Sequence, residues 1–204
     1  MNLPNKLTIA RIFAIPLIII VSLIPIFSEK IVFGPVGSKI TLENLLILII
    51  FALASFTDFL DGYLARKHNL ITDFGKFMDP LADKLLVLTA LIYLLERGRF
   101  QAFGFNLGFV ITIILAREFM VTGIRLLALD NKLVIAASKL GKAKTVTQML
   151  TIILLLVNKY PFTLLGDLAG EIAGLVMISL AGVLTLVSGI DYFVKNKEII
   201  LRSK

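Results

Sequence analysis

The chain has 204 residues, 58% of them hydrophobic, no cysteine and a formal net charge of +7. Soluble domains are roughly 45–50% apolar on a comparable count, and their helices keep one face polar. The excess excludes an ordinary soluble core, and the missing cysteines exclude disulfides and thiolate metal sites. The positive charge sits beside apolar segments, which argues against nucleic acid and for anionic lipid or phosphate as its partner.

Six apolar segments follow one another, each read as long enough for about 30 Å of hydrocarbon. They cover residues 7–27, 42–66, 75–95, 105–129, 143–157 and 168–194, the fifth starting as early as Ser138. Lys6 and Arg11 before the first apolar run fit a signal peptide, but no small-x-small cleavage site stands near Ser28. The run is therefore read as a retained span. All six must be helices, because a span satisfies its backbone hydrogen bonds internally. The expected fold is all-α: a polytopic membrane protein with six transmembrane helices, one domain over residues 1–204. Connections fall at Gly34-Pro35, Arg97-Gly98-Arg99 and Tyr160-Pro161.

Orientation follows from the basic residues. With both termini on one side, the opposite side holds Lys30, Lys39, Arg97, Arg99 and Lys159, leaving 16 of the 21 with the termini. Setting aside the intramembrane Arg11, Lys84, Arg117 and Arg125 leaves 12 against 5. That bias places the termini in the cytoplasm.

Acidic residues inside such a chain are costly, roughly 2.5–3.5 kcal/mol each at a helix centre on insertion scales. Yet Asp58, Asp61, Asp79 and Asp83 cluster within two consecutive segments. On a helix, Asp58, Asp61, Gly62 and Ala65 share an arc of about 100°, and Gly75, Asp79 and Asp83 one of about 80°. A short hairpin lets the two faces meet in one cleft. Four carboxylates suit a hard cation such as Mg²⁺ or Mn²⁺, and exceed the need of one. Two ions about 3.5–4 Å apart are expected, an arrangement common in phosphoryl chemistry. Arg66 can neutralise a phosphate. The competing account pairs each aspartate with Arg66, Lys67, Lys76 or Lys84 at the water interface. Pro80 removes a backbone donor and is expected to loosen the helix near Lys76.

A second, cationic group comprises Arg117, Arg125, Lys139, Lys142 and Lys144, with Arg11 and Thr8 from the first segment. An intramembrane arginine should face a cavity, and arginine grips phosphate in a bidentate fork. For the loop lysines the alternative is topology signal or headgroup binding. Glu118 is a possible counter-ion to Arg117, although neighbours on a helix point apart. His68, the only histidine, is read as structural, Asp191 as paired with a terminal lysine, and Gly170-x3-Gly174 as a helix-packing pattern serving either a dimer or contacts within the chain.

The stretch from Asp58 to Asp83 resembles, at every fixed position, the signature D-x2-D-G-x2-A-R-x8-G-x3-D-x3-D of the CDP-alcohol phosphotransferase family. Segments 2–11, 117–125 and 138–148 resemble the bacterial subfamily that makes phosphatidylglycerophosphate. The resemblance implies transfer of a phosphatidyl group from CDP-diacylglycerol to sn-glycerol 3-phosphate, with release of CMP. It implies Asp58, Asp61, Asp79 and Asp83 as metal ligands, Asp83 also as general base, and Gly62, Ala65, Arg66 and Gly75 around the CDP-diacylglycerol. Thr8, Arg11, Arg117, Arg125, Lys139, Lys142 and Lys144 are the expected contacts to the acceptor phosphate. It further implies a homodimer in the bacterial cell membrane with its site facing the cytoplasm. The aspartate motif handles the donor, so serine, inositol phosphate or phosphatidylglycerol stay open as acceptors. A cation transporter using the aspartates as its ion site is the alternative of a different class, but no paired inverted segments support it.

Overall fold

The structure is a computed structural model that describes residues 3–34, 39–68, 73–130 and 138–197, with side chains at 3–5, 58–77, 80, 129 and 130 outside that description. It is mostly helical: α1 (Leu3–Ser22), α2 (Pro25–Glu29), α3 (Leu42–His68), α4 (Asp73–Glu96), α5 (Phe109–Asp130), α6 (Lys139–Leu156) and α7 (Asp167–Lys195). A 3-10 turn spans Phe162–Leu165. The strands form two small antiparallel pairs, β1 (Ile31–Phe33) with β2 (Ile40–Thr41), and β3 (Gln101–Ala102) with β4 (Phe105–Asn106).

Two expected boundaries move, and a third falls where the earlier start at Ser138 placed it. The first segment is two helices, because the chain turns at Leu23 and Pro25 opens α2, where its missing N–H is no loss. The fourth helix begins at Phe109 rather than 105, because Phe105 and Asn106 are engaged in the hairpin with Gln101 and Ala102. The fifth begins at Lys139, capped by Ser138, whose Oγ accepts from the Gly141 N–H at 3.0 Å. α4 is helical throughout, so the loosening expected around Pro80 does not interrupt it.

Of the described helices, α7 alone is long and apolar enough to cross a membrane by length and composition. The other long helices carry charge within their length: Arg11 in α1, the aspartates in α3 and α4, Arg117, Glu118 and Arg125 in α5, and the lysines of α6. Such charge lowers a helix's mean hydropathy without changing its length.

The six long helices form two groups of three. α1 packs on α3 and α4, and α7 packs on α5 and α6; α4 joins the groups by touching α5 and α6, and α3 by touching α6, while the short α2 rests on α3. The core runs between them through Ile18, Ile47, Phe51, Leu91, Ile114 and Ile152. Polar side chains lie inside as well. Gln148 Nε2 donates to Thr185 Oγ1 at 3.1 Å, and Thr151 Oγ1 donates to the Met177 carbonyl at 3.2 Å, stitching α6 to α7. Large apolar side chains point outward on every long helix, among them Phe13, Phe56, Ile92, Phe119, Leu150 and Ile190.

Glycine on α7 permits the close approach. A Cβ at Gly182 would stand 3.2 Å from Val110 Cγ1 on α5. Gly170 and Gly174 face Thr163 and the Lys159 stem of the same chain, so this pair serves intramolecular packing.

At the end of α4 away from Asp79, Arg97 donates to Glu43 Oε1 at 2.6 Å and to the Ser22 carbonyl at 2.8 Å, tying α1, α3 and α4 together. Arg99 donates to Asn158 Oδ1 at 2.5 Å. Burial pushes its guanidinium below the ordinary range, yet arginine stays protonated at any physiological pH. Lys159 is paired with Glu171, which also accepts from the Phe103 N–H at 2.9 Å. Asp191 pairs with Lys195 at 2.7 Å, as expected of a residue near the end of the last helix.

Gly182→Leu forces α7 away from Val110. Overpacking of this kind costs about 1–3 kcal/mol, and the expected outcome is a lower thermal unfolding midpoint of the detergent-purified protein, with Gly182→Ala nearer the parent.

Candidate functional site

The C-terminal half of α3 carries Asp58, Asp61, Gly62, Ala65 and Arg66, and the first turn of α4 carries Gly75. Their helical backbone is described, but their side chains lie outside the described residues. Asp79 and Asp83 stand one turn apart on α4, both partly buried. Thr8 on α1, 1% exposed, donates its Oγ1–H to Asp79 Oδ1. A residue expected at the acceptor therefore touches a residue expected at the metal. Arg11 lies three residues further along α1 and is buried at 1% exposure.

A charged cluster sits beside these aspartates. Glu118 on α5 is its hub: its Oε1 accepts from Lys144 Nζ on α6 and from Arg117 NH1 at 3.1 Å. The side chains of Lys144, Arg117 and Glu118 are only 5%, 11% and 12% exposed. Lys84, one residue past Asp83, reaches from α4 to α5 and donates to Thr122 Oγ1. The Thr122 hydroxyl in turn donates to the Glu118 backbone carbonyl at 2.6 Å. Lys84 feels the charges of Glu118, Arg125, Arg117 and Asp83, and Lys144 those of Glu118, Arg117 and Asp83. The aspartates of α4 and the cations of α5 and α6 thus share one electrostatic environment.

Helix packing explains the placement of Arg117. Its stem passes Gly189 of α7, where a Cβ would stand 3.0 Å from Arg117 Cγ. Its guanidinium lies along the first turn of α6, where a Cβ at Gly141 would stand 3.6 Å from Nη2. That turn presents backbone N–H groups without intrahelical acceptors, a setting that favours an anion. Arg125, two turns along α5, places its guanidinium 5.8 Å from the Tyr192 ring centre and donates from Nε to the Tyr192 hydroxyl at 3.3 Å.

The three lysines of α6 separate. Lys144 turns inward at 4% exposure, while Lys139 and Lys142 are exposed. On a helix Lys139 and Lys142 lie about 60° apart, and Lys144 about 140–160° from either. Lys84 was absent from the expected acceptor set; its signal was its position directly after Asp83. Glu118 does meet Arg117 despite being its neighbour, because the arginine stem is long enough to fold back.

Among the described residues no three acidic or histidine side chains converge as a metal site; Asp58 and Asp61 are not among them. Asp79 and Asp83 fit a hard divalent cation in chemistry, offering carboxylate oxygens one turn apart on a single helix.

A family model for CDP-alcohol phosphatidyltransferase matches residues 1–187. The chain is 42% identical over 202 residues to a Bacillus subtilis (strain 168) protein named CDP-diacylglycerol–glycerol-3-phosphate 3-phosphatidyltransferase, covering 99% of this chain and 98% of that one. Proteins of the same name from Rickettsia bellii and Haemophilus influenzae are 42% identical over 198 residues and 34% over 204, covering 97% and 98% of this chain and 96% of each relative. The chain belongs to the CDP-alcohol phosphatidyltransferase family.

Thr8→Val keeps the shape of the side chain and removes the hydroxyl that holds Asp79. A hydrogen bond to a charged group contributes about 1.5–3 kcal/mol, so the expected result is a lowered unfolding midpoint that Thr8→Ser restores.

Proposed function

We propose that the chain transfers a phosphatidyl group from CDP-diacylglycerol to sn-glycerol 3-phosphate, giving phosphatidylglycerophosphate and CMP. The observation that carries this reading is the charge around Glu118. Among the described residues, Lys84, Arg117, Arg125 and Lys144 share one environment with Glu118 and Asp83, more cations than carboxylates. That surplus suits a phosphorylated acceptor better than zwitterionic serine. Similarity along nearly the whole chain to proteins named for this reaction supports the same assignment.

In this reading the acceptor hydroxyl oxygen attacks the phosphorus that bears diacylglycerol. The bond from that phosphorus to the bridging oxygen breaks, and CMP leaves with the electron pair. Asp83 accepts the hydroxyl proton. Arg117 and Lys144 hold the acceptor phosphate, with Arg11 and Arg125 near it and Thr8 fixing Asp79, while Lys139 and Lys142, exposed on the other side of α6, are left to lipid headgroups. Gly62, Ala65 and Gly75 admit the donor nucleotide close to the backbone, and Arg66 faces its phosphates. Divalent cations, two Mg²⁺ or Mn²⁺ held by Asp58, Asp61, Asp79 and Asp83, supply charge neutralisation at the donor pyrophosphate when bound.

The same reading makes α1, α3, α4, α5, α6 and α7 the six spans of one domain in the bacterial cell membrane. Even the shortest, α6 with 18 residues, extends about 27 Å at 1.5 Å per residue. The lysine and arginine bias puts the site at the cytoplasmic end. The enzyme is a homodimer in this reading, through a surface other than Gly170 and Gly174, which are covered within the chain.

Purified protein in mixed micelles of detergent and CDP-diacylglycerol, offered each acceptor in turn, should release CMP with sn-glycerol 3-phosphate. Exclusive use of serine or inositol phosphate sinks the assignment, and ion flux without CMP release restores the transporter. Asp83→Asn is expected to lower turnover on the order of 10²-fold or more, the effect of a lost general base, while CDP-diacylglycerol binding measured by calorimetry persists. Normal turnover in that variant rejects Asp83 as the base.

A further inference from the structure

Glu118 has no part in the reaction just described, and it carries the same charge as the acceptor phosphate. A carboxylate in an anion site looks counterproductive, because it competes for the cations. Its geometry points the other way. One oxygen, Oε1, accepts from both Lys144 Nζ and Arg117 NH1, which come from different helices. Without it, two nearly buried cations face each other with only repulsion between them, and Lys84 adds a third. Lysine loses much rotamer freedom when held in one place, and an arginine fork is useful to a ligand only when its orientation is fixed. The remaining contacts at Glu118 come from the same network. Thr122 donates to its backbone carbonyl and accepts from Lys84. The Arg117 stem is wedged against Gly189. The guanidinium retains donors beyond NH1, its Nε being buried without a hydrogen-bond partner among the described residues.

We propose that Glu118 is the positioning residue of the acceptor site, fixing Lys144 and Arg117 as a preassembled pair for a phosphate monoester. The carboxylate does not touch the acceptor. It holds one edge of the guanidinium and the ammonium head, and leaves the remaining N–H groups of both for the phosphate. This inference rests on the reading that these cations bind the acceptor phosphate.

The test is steady-state kinetics of the full-length protein in mixed micelles, varying sn-glycerol 3-phosphate and CDP-diacylglycerol separately. In Glu118→Ala the acceptor KM rises about tenfold, the equivalent of one charge-assisted hydrogen bond. The donor KM and the turnover at saturating acceptor stay within about twofold to threefold, because the lost interaction acts on acceptor binding. Glu118→Gln, which keeps an oxygen acceptor, gives a smaller rise and serves alone should the alanine variant fail to fold. If Glu118 acts through Lys144 and Arg117, adding Glu118→Gln to Lys144→Ala raises the acceptor KM by a smaller factor than Glu118→Gln does in the parent, a non-additivity that a merely structural role does not produce. Arg117→Ala separates the two levels. If it raises the acceptor KM while both Glu118 variants leave it unchanged or lower it, Glu118 is not a positioning residue and the site assignment survives. An equal rise in donor and acceptor KM in the Glu118 variants overturns the proposal in the same way. If Arg117→Ala and Lys144→Ala both leave the acceptor KM unchanged, the site assignment and the proposal fall together.

Discussion

Ionised side chains inside an apolar helix bundle persist only against partners of opposite charge, and in this molecule the pairings gather toward the two ends of the helices. At one end Glu118 holds Lys144 and Arg117 while Lys84 crosses from α4 to α5. At the other, Glu43 holds Arg97 and Glu171 holds Lys159. The two ends differ in their surplus. Around Arg97 the cation is taken up by a carboxylate and a backbone carbonyl, so the group is a structural tie. Among the described residues around Glu118 the cations outnumber the carboxylates, a surplus that suits an anionic ligand. Chemistry is expected where the surplus is.

Where α7 meets its neighbours, the packing follows from exposing large apolar side chains and burying mostly small or polar ones. α7 meets α5 and α6 through glycine, alanine, threonine and serine, with Gly182, Ala181, Thr185 and Ser188 all buried. In a lipid surround the apolar effect supplies little drive between helices, so close van der Waals contact and interhelical hydrogen bonds must do that work. Gly189 belongs to this stripe and has a second use, since the space it leaves is filled by the Arg117 stem. Packing of α7 and placement of the guanidinium are therefore one requirement rather than two.

Period and punctuation made the helices legible. α3, α4 and α7 fall within a few residues of their expected bounds because each begins or ends at a clear change in polarity. Where the change in polarity is weak the limits slip: residues 23–27 are apolar and 105–108 carry one polar side chain, Asn106, and backbone pairing or a proline start decides their structure. The aspartates stand out in the sequence as a group because four acids at helical spacing in an apolar chain point to a shared role, and the side chains of Asp58 and Asp61 lie outside the described residues. The cationic group was legible only in part. Charge and nearness in sequence made Lys139, Lys142 and Lys144 look alike, and helical rotation separates them. Glu118 was legible as a counter-ion to Arg117 but not as a hub, since its second partner, Lys144, lies 26 residues away on another helix.

A transferase that forms a bond between two substrates needs its donor and acceptor groups in one environment, yet contributed by elements that fold independently of either ligand. Here the proposed donor motif lies on α3 and α4, and the proposed acceptor cations lie on α5 and α6. Lys84 is where the two sets join: its backbone neighbour is Asp83, and its ammonium reaches Thr122 one turn from Glu118. A shift of α4 along α5 therefore moves the proposed base and the proposed phosphate fork relative to each other. The contact between the two helix groups sets the distance over which the phosphoryl group must travel, and the buried charge at that contact resists sliding because any displacement separates Lys84 from its hydroxyl partner and Glu118 from its cations. On this argument the network that neutralises buried charge also fixes the proposed reaction geometry, and a substitution that weakens it is felt in acceptor binding before it is felt in the fold.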